Sequence, residues 1–195
     1  MKKHTDLYNM KEKLVPGQVY RRASFAQLTS NVDRNLAQLV KEGSLKKLSY
    51  GKYVAPKKTV FGESLPDENS LIETFLNDDH FVVYSPNQFN SLGLGTTQLY
   101  NKTVVFNRKR SGYFELGGRG YYFYRWREAP KKLTTEFLVV ELLNKLDNLS
   151  EDRNSVLNKL QEKSSEFNMR KLKYAVEHYG NITAKKLFKK LIEAH

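Results

Sequence analysis

Residues 31–41 carry polar side chains suited to hydrogen bonding with the edges of DNA bases. Asn31, Arg34, Asn35, Gln38 and Lys41 recur at spacings that place them together on one side of a helix. Arginine forms paired hydrogen bonds with guanine, and asparagine or glutamine does so with adenine. A solvated helix surface without a partner is the simpler interpretation, but such a surface more often carries glutamate and lysine. We therefore expect these side chains to face duplex DNA.

The same segment has the apolar periodicity of an amphipathic helix. Gly43 follows it, at the position where a left-handed residue often ends a helix. The pattern predicts a helix over residues 31–42 with its polar side turned outward. The residues expected to form one buried stripe are Val32, Leu36, Leu39 and Val40.

A shorter helix is predicted before this one, which gives a helix-turn-helix. Ser24 begins it, with Gln27 three residues on in capping-box spacing. Ser30 and Asp33 repeat the pattern and are expected to open the second helix. The arrangement is typical of modules that insert the second helix into the major groove.

A basic hairpin is predicted directly after the helix-turn-helix. Residues 44–55 form two strand-like runs joined at Tyr50-Gly51, where glycine permits a tight turn. Such a hairpin is the wing of a winged helix-turn-helix, and its lysines would contact phosphates, which position a protein on DNA without specifying sequence. The further residues expected at DNA are Arg21, Arg22, Ser24, Lys46, Lys47, Tyr50 and Lys52.

The distribution of charge supports a dedicated module that binds a polyanion. The chain of 195 residues has a formal net charge of +12. Residues 1–60 hold 13 Lys and Arg against 4 Asp and Glu, so most of the surplus lies in the first third. We predict a winged helix-turn-helix domain over 1–58 and a second domain over 59–195.

The second domain is predicted to combine a small antiparallel sheet with C-terminal helices, so the fold class of the chain is α+β. Strands are expected over 103–107, 113–116 and 121–126. From residue 134 onward the pattern is helical, and Ser150 is expected to cap one of these helices.

An aromatic strand provides a second candidate surface and the alternative function. The segment partly matches the signature of RNA-recognition strands, and alternate aromatic rings on one strand face could stack on bases. Aromatic strands more often belong to a core. The alternative is therefore a module that binds RNA or protein through Arg119, Tyr122, Tyr124, Arg125 and Trp126.

No arrangement of residues points to an enzyme, a cofactor or a metal. The chain has no cysteine, its four histidines are scattered, and no glycine-rich phosphate loop is present. The longest uncharged run, 81–101, is interrupted by polar residues and cannot span a bilayer. We expect a cytoplasmic protein with no catalytic residues, no cofactor and no membrane partner.

The order of motifs resembles the AbiEi-type family of antitoxins and transcriptional regulators from bacterial abortive-infection systems. The resemblance covers roughly residues 5–130. It is carried by residues 35–43, 50–57 and 61–63, and by the Gly-Leu and Thr-Thr-Gln elements of residues 90–98, where Gly95 is an additional residue.

The resemblance implies a bacterial antitoxin that represses its own toxin–antitoxin operon. The N-terminal domain would bind inverted repeats in double-stranded DNA, as a monomer or a homodimer. The C-terminal domain would counter a nucleotidyltransferase-like toxin without forming a stable complex with it.

Overall fold

The computed structural model describes residues 2–60, 62–64 and 66–193. Helices and small sheets are mixed along the chain, which agrees with the predicted α+β class. The chain divides into two compact units. The first comprises the residues up to Asp79 together with Glu115–Arg119, and the second comprises His80–Phe114 and the residues from Gly120 onward.

The first unit begins with a helix, a short strand and a single turn of 3₁₀-helix, and continues with the amphipathic helix and the hairpin. Strands β1, β2 and β3 form an antiparallel sheet in the order β1-β3-β2, and β4 and β5 form a separate hairpin that the sequence did not predict. The elements are α1 (Lys2–Glu12), β1 (Val19–Arg21), the 3₁₀-helix Arg22–Phe25, α2 (Val32–Lys41), β2 (Lys46–Ser49), β3 (Lys52–Val54), β4 (Lys57–Thr59), β5 (Gly62–Ser64) and α3 (Glu68–Leu76).

Helix α2 forms because its apolar residues face a compact core. Val32, Leu36 and Leu39 are buried there, as predicted, beside Met10 and Phe25. Val40 was also expected in the buried stripe, and this is wrong because its side chain is 36% exposed. Its position falls at the edge of the stripe that the other three residues define.

The capping predictions around α2 are wrong, although the helix itself is confirmed. The helix begins at Val32, and its N-cap residue Asn31 makes no capping hydrogen bond with its side chain. The preceding helix, predicted to begin at Ser24, is a 3₁₀ turn over Arg22–Phe25 whose N-cap Arg21 also lacks such a bond. Hydroxyl spacing alone did not locate either helix start.

Helix α3 belongs to the first unit because it is hydrogen-bonded to β1. The amide of Val19 donates to Oγ of Ser70 at 2.9 Å, and Oγ1 of Thr74 donates to the carbonyl oxygen of Val19 at 3.2 Å. The division of the chain therefore falls after Asp79, whereas the sequence predicted it after residue 58.

The second unit contains a four-stranded sheet and a set of helices. The strand order is β6-β7-β9-β8. The pair β6 and β7 is antiparallel, but β7 and β9 run parallel, which differs from the predicted antiparallel pairing. The elements are β6 (Phe81–Tyr84), the 3₁₀-helix Pro86–Leu92, β7 (Val104–Asn107), β8 (Gly112–Leu116), β9 (Arg119–Arg125), α4 (Thr135–Lys145), α5 (Arg153–Glu162), α6 (Met169–Tyr179) and α7 (Ile182–Glu193). The turn between β8 and β9, with the adjoining strand ends, is assigned to the first unit.

The C-terminal helices form the core of the second unit with one face of the sheet. The ring of Phe137 on α4 lies 5.2 Å from that of Phe106 on β7, and both are buried. The N-cap of α5 is Asp152, which accepts a hydrogen bond from the amide of Ser155 at 2.8 Å. The predicted cap at Ser150 is therefore wrong.

Candidate nucleic-acid interface

The polar side of α2 is open to solvent. Asn31, Arg34, Gln38 and Lys41 are all exposed, as the sequence predicted. An open depression runs along this side and is lined by Arg34, Ala37, Gln38, Lys41 and Glu42. The small side chain of Ala37 leaves room between the longer polar ones. Three of the five predicted base-contacting residues thus share one accessible groove.

Asn35 does not belong to this surface, and its predicted role in contacting bases is wrong. The side chain is only 8% exposed, and its Nδ2 donates a hydrogen bond to Oγ1 of Thr29 at 3.1 Å. Thr29 in turn donates to Oδ2 of Asp6 at 3.0 Å. Position 35 lies three residues after Val32 and four before Leu39, so the helix turns it toward the core.

The C-terminal end of α2 is held by a carboxylate. Glu42 accepts hydrogen bonds from Nζ of Lys11 at 2.9 Å and from Nε2 of Gln38 at 3.0 Å. The bonds from Lys11 and Gln38 lower the pKa of Glu42. The Gln38 amide is thereby held at Glu42, and Lys11 ties α1 to the end of α2.

Arg22 joins the hairpin to the start of α2. Its backbone amide donates to the carbonyl oxygen of Gly51 at 2.9 Å. Its guanidinium donates from Nε and Nη2 to the two carboxylate oxygens of Asp33, each at 2.6 Å. This bidentate bond raises the pKa of Arg22 and lowers that of Asp33. Arg22 therefore links the turn of the hairpin to the first turn of α2.

The hairpin presents most of its predicted residues to solvent. Lys46, Lys47 and Tyr50 are exposed, and Tyr50 at the turn is 96% exposed. The turn needs Gly51, whose φ of +68° is a backbone conformation that residues with a side chain rarely adopt. Nζ of Lys46 lies 3.5 Å from a carboxylate oxygen of Glu63 on the second hairpin.

The second hairpin adds exposed lysines that the sequence reasoning missed. Lys57 and Lys58 lie on β4 and are both exposed. The signal that could have found them is the Lys-Lys pair immediately after Pro56, in the same basic third of the chain. They extend the basic surface of the first unit beyond the predicted wing.

Two residues that were predicted to contact phosphates lie against another helix of the first unit. The Arg21 guanidinium is half-buried and donates from Nε to the carbonyl oxygen of Thr74 at 2.7 Å, so it caps the C-terminal end of α3. Nζ of Lys52 lies 5.2 Å from the ring centroid of Phe75 on the same helix. Arg21 and Lys52 are thus half-buried against α3 and less open to solvent than the prediction assumed, whereas Ser24 is exposed.

The second candidate surface is only partly as predicted. Tyr122, Tyr124, Arg125 and Trp126 are exposed in the second unit. Arg119 belongs to the first unit, where its Nη2 donates to the carbonyl oxygen of Pro66 at 2.7 Å. Its Nη1 also lies 3.7 Å from a carboxylate oxygen of Glu68. Arg119 is thus half-buried and does not extend the aromatic surface as expected.

Within the described residues, no three histidine, aspartate or glutamate side chains come together as metal ligands. In the same part of the chain, none of the helices has both the length and the apolar character needed to cross a bilayer.

Comparison with known proteins gave no match: neither any protein-family model nor any curated protein corresponds to this chain.

Proposed function

We propose that this protein is a DNA-binding antitoxin that represses transcription of its own toxin–antitoxin operon. In this proposal the first unit is a winged helix-turn-helix. Helix α2 enters the major groove, and the β2–β3 hairpin is the wing. The proposal assigns the protein no enzymatic activity and places it in the bacterial cytoplasm.

The observation that carries the DNA-binding proposal is the exposed polar side of α2. The guanidinium of Arg34 and the amide of Gln38 line one depression, and groups of these types form paired hydrogen bonds with guanine and adenine. Lys41 at the end of the same depression supplies a cation for the adjoining phosphate backbone.

The hairpin supports the same proposal through its charge and its attachment. Lys47 and Tyr50 project into solvent from the strand and the turn. Because Arg22 contacts both Gly51 and Asp33, the turn of the hairpin and the N-terminal turn of α2 keep a fixed spacing. A wing at fixed distance from the groove-binding helix can contact the flanking phosphates while that helix contacts bases.

The antitoxin part of the proposal rests on the resemblance of residues 35–43, 50–57 and 90–98 to the AbiEi-type family. It assigns the second unit to countering a nucleotidyltransferase-like toxin without a stable complex. Its test is co-expression of this protein with the nucleotidyltransferase-like product of an adjoining reading frame. Restored growth supports the assignment, and unrelieved toxicity, or the absence of such a frame, contradicts it.

The DNA-binding part is tested with the duplex that lies immediately upstream of the protein's own reading frame. Fluorescence anisotropy would compare this duplex with a scrambled duplex of equal length and composition at physiological salt. We expect binding to the upstream duplex to be at least about 1,000-fold tighter. Equal affinity for the two duplexes would contradict the proposal that the protein is a sequence-specific repressor.

A further inference from the structure

One strand of the second unit carries aromatic rings that its core does not bury. In β9, Tyr121 and Phe123 are buried, whereas Tyr122 and Tyr124 are 39% and 40% exposed. Successive side chains of a strand point to opposite faces, so Tyr122 and Tyr124 share one face. Core packing accounts for Tyr121 and Phe123. It covers only part of Tyr122 and Tyr124, although the ring centroid of Tyr124 also lies 5.4 Å from Nζ of Lys145.

The exposed rings continue on both sides of β9. Tyr113 on β8 is 54% exposed, and its ring centroid lies 5.1 Å from that of Tyr122. Trp126, just after β9, is 43% exposed and is fixed by a hydrogen bond from Nε1 to the carbonyl oxygen of His178 at 3.1 Å. We call Tyr113, Tyr122, Tyr124 and Trp126 the aromatic row.

A lysine ammonium lies against the aromatic row. Nζ of Lys102 is 4.3 Å from the ring centroid of Tyr122 and 5.8 Å from that of Tyr124. It also donates a hydrogen bond to the phenol oxygen of Tyr124 at 3.4 Å. A cation on an exposed ring is held more weakly than a stacked nucleobase. A base can therefore replace the ammonium on the ring, and the flexible lysine stem can carry the charge to a neighbouring phosphate.

Further positive charge surrounds Trp126. An open depression beside its indole is lined by the side chains of Arg108, Arg125 and Arg127. Guanidinium groups pair with phosphate oxygens through two hydrogen bonds and also stack on bases. Exposed aromatic rings next to cations are the combination that holds single-stranded nucleic acid, because unpaired bases stack while the backbone meets the charges.

We propose that the aromatic row is a binding surface for single-stranded RNA. Bases stack on Tyr122 and its neighbours, Lys102 passes from the ring to a phosphate, and the arginines beside Trp126 hold the phosphates that follow. A duplex keeps its bases paired and stacked and so offers no free base faces to the row. RNA is favoured over DNA because its 2′-hydroxyl donates and accepts hydrogen bonds, as the exposed phenols do.

The test is fluorescence anisotropy of the full chain with a labelled single-stranded RNA of mixed sequence, about 12 nucleotides long. We expect Tyr122→Leu to weaken RNA binding by about 5- to 150-fold, because stacking needs a ring and not merely apolar volume. Tyr122→Phe should keep the stacking and lose only the phenol's contribution to the preference for RNA over single-stranded DNA. Lys102→Met should weaken binding and reduce the salt slope by about 0.7. Tyr8→Leu is the matched control, since Tyr8 is 62% exposed on α1 in the first unit.

Duplex DNA binding, measured in parallel, separates this proposal from the function proposed for the first unit. Tyr122→Leu should leave duplex affinity unchanged. The proposal is overturned if Tyr122→Leu and Lys102→Met both bind RNA like the parent chain, or if single-stranded DNA of the same sequence binds equally well. Should Tyr122→Leu fail to fold, Lys102→Met decides, because it removes only an ammonium and keeps most of the side chain.

Discussion

The carboxylate of Asp33 is bound in bidentate fashion by the guanidinium of Arg22, with both nitrogen–oxygen distances at 2.6 Å. The pair joins the first turn of α2 to the residue whose amide is bonded to Gly51 in the hairpin turn. Arg22 is therefore not a bare cation at the proposed interface. Its charge is offset by Asp33, and its main effect is to position the hairpin.

The Arg22–Asp33 pair makes stability depend on pH in the acid range. The pKa of Asp33 is lower in the folded protein than in the unfolded chain, where it is about 4. The pair thus stabilises the fold above that value, and the contribution is lost as the pH falls through the lower, folded-state pKa. Thermal unfolding should show the parent chain more stable than Asp33→Asn at pH 6, with the difference shrinking toward pH 3. A difference that stays constant over this range would contradict the prediction.

Arg34→Ala should reduce sequence discrimination rather than general DNA affinity. The guanidinium lies in the exposed depression of α2, where it can pair with a base edge. We expect a loss of about 1–3 kcal/mol on the preferred duplex and little change on random duplex. Anisotropy titrations with both duplexes measure the two effects. Equal losses on both would assign Arg34 to a phosphate instead.

Lys47→Ala, unlike Arg34→Ala, should reduce general DNA affinity and leave sequence discrimination unchanged. Lys47 is exposed on β2 and is expected to contact a phosphate, which carries no sequence information. Binding to all duplexes should weaken alike, and the slope of log affinity against log salt should become shallower by about 0.9. Titration at several salt concentrations measures this slope, and an unchanged slope would place Lys47 away from the backbone.

Asn35→Ala should destabilise the first unit and leave DNA discrimination in the folded fraction intact. The change removes the buried hydrogen bond to Thr29, which also holds Asp6. We expect a loss of about 1–3 kcal/mol in the free energy of unfolding, measured by urea denaturation. The matched control Gln38→Ala alters an exposed residue of the same helix and should change stability by less than about 0.5 kcal/mol. Comparable losses in the two variants would contradict the buried role of Asn35.

Lys145→Met should destabilise the second unit through a buried cluster. Lys145 donates hydrogen bonds to the phenol oxygen of Tyr84 and to the carboxylate of Glu141, whose side chain is only 4% exposed. Removing the ammonium leaves a buried carboxylate without its cation, at a cost of about 3 kcal/mol. The same substitution at exposed Lys171 on α6 should cost less than about 0.5 kcal/mol. Urea denaturation compares the two, and equal effects would refute the role of the cluster.

The elements that depend on local pattern could be predicted from the sequence. Helix α2 and the hairpin after it follow from the apolar period and from two glycines that end or turn the chain, Gly43 at φ +75° and Gly51 at φ +68°. Short-range geometry determines both features. The predicted exposure of Arg34, Gln38 and Lys41 follows from the same period.

Predictions of which polar side chains face solvent are least accurate where a distant part of the chain covers the residue. Asn35 is an exception: its position three residues after Val32 and four before Leu39 already indicated burial, but its amide was assigned to bases because of its chemistry. Arg21 and Lys52 are basic residues near the predicted interface, yet α3, far along the chain, supplies carbonyl oxygens and a ring that engage them.

Selection of bound duplexes from a random-sequence library tests the central claim most directly, because it presupposes no operator. We predict that the parent chain enriches one inverted-repeat motif, and that Arg34→Ala loses the preference at one base pair of each half-site while keeping the rest. Enrichment of no motif by the parent chain would contradict the proposal that α2 contacts the bases of a specific DNA site.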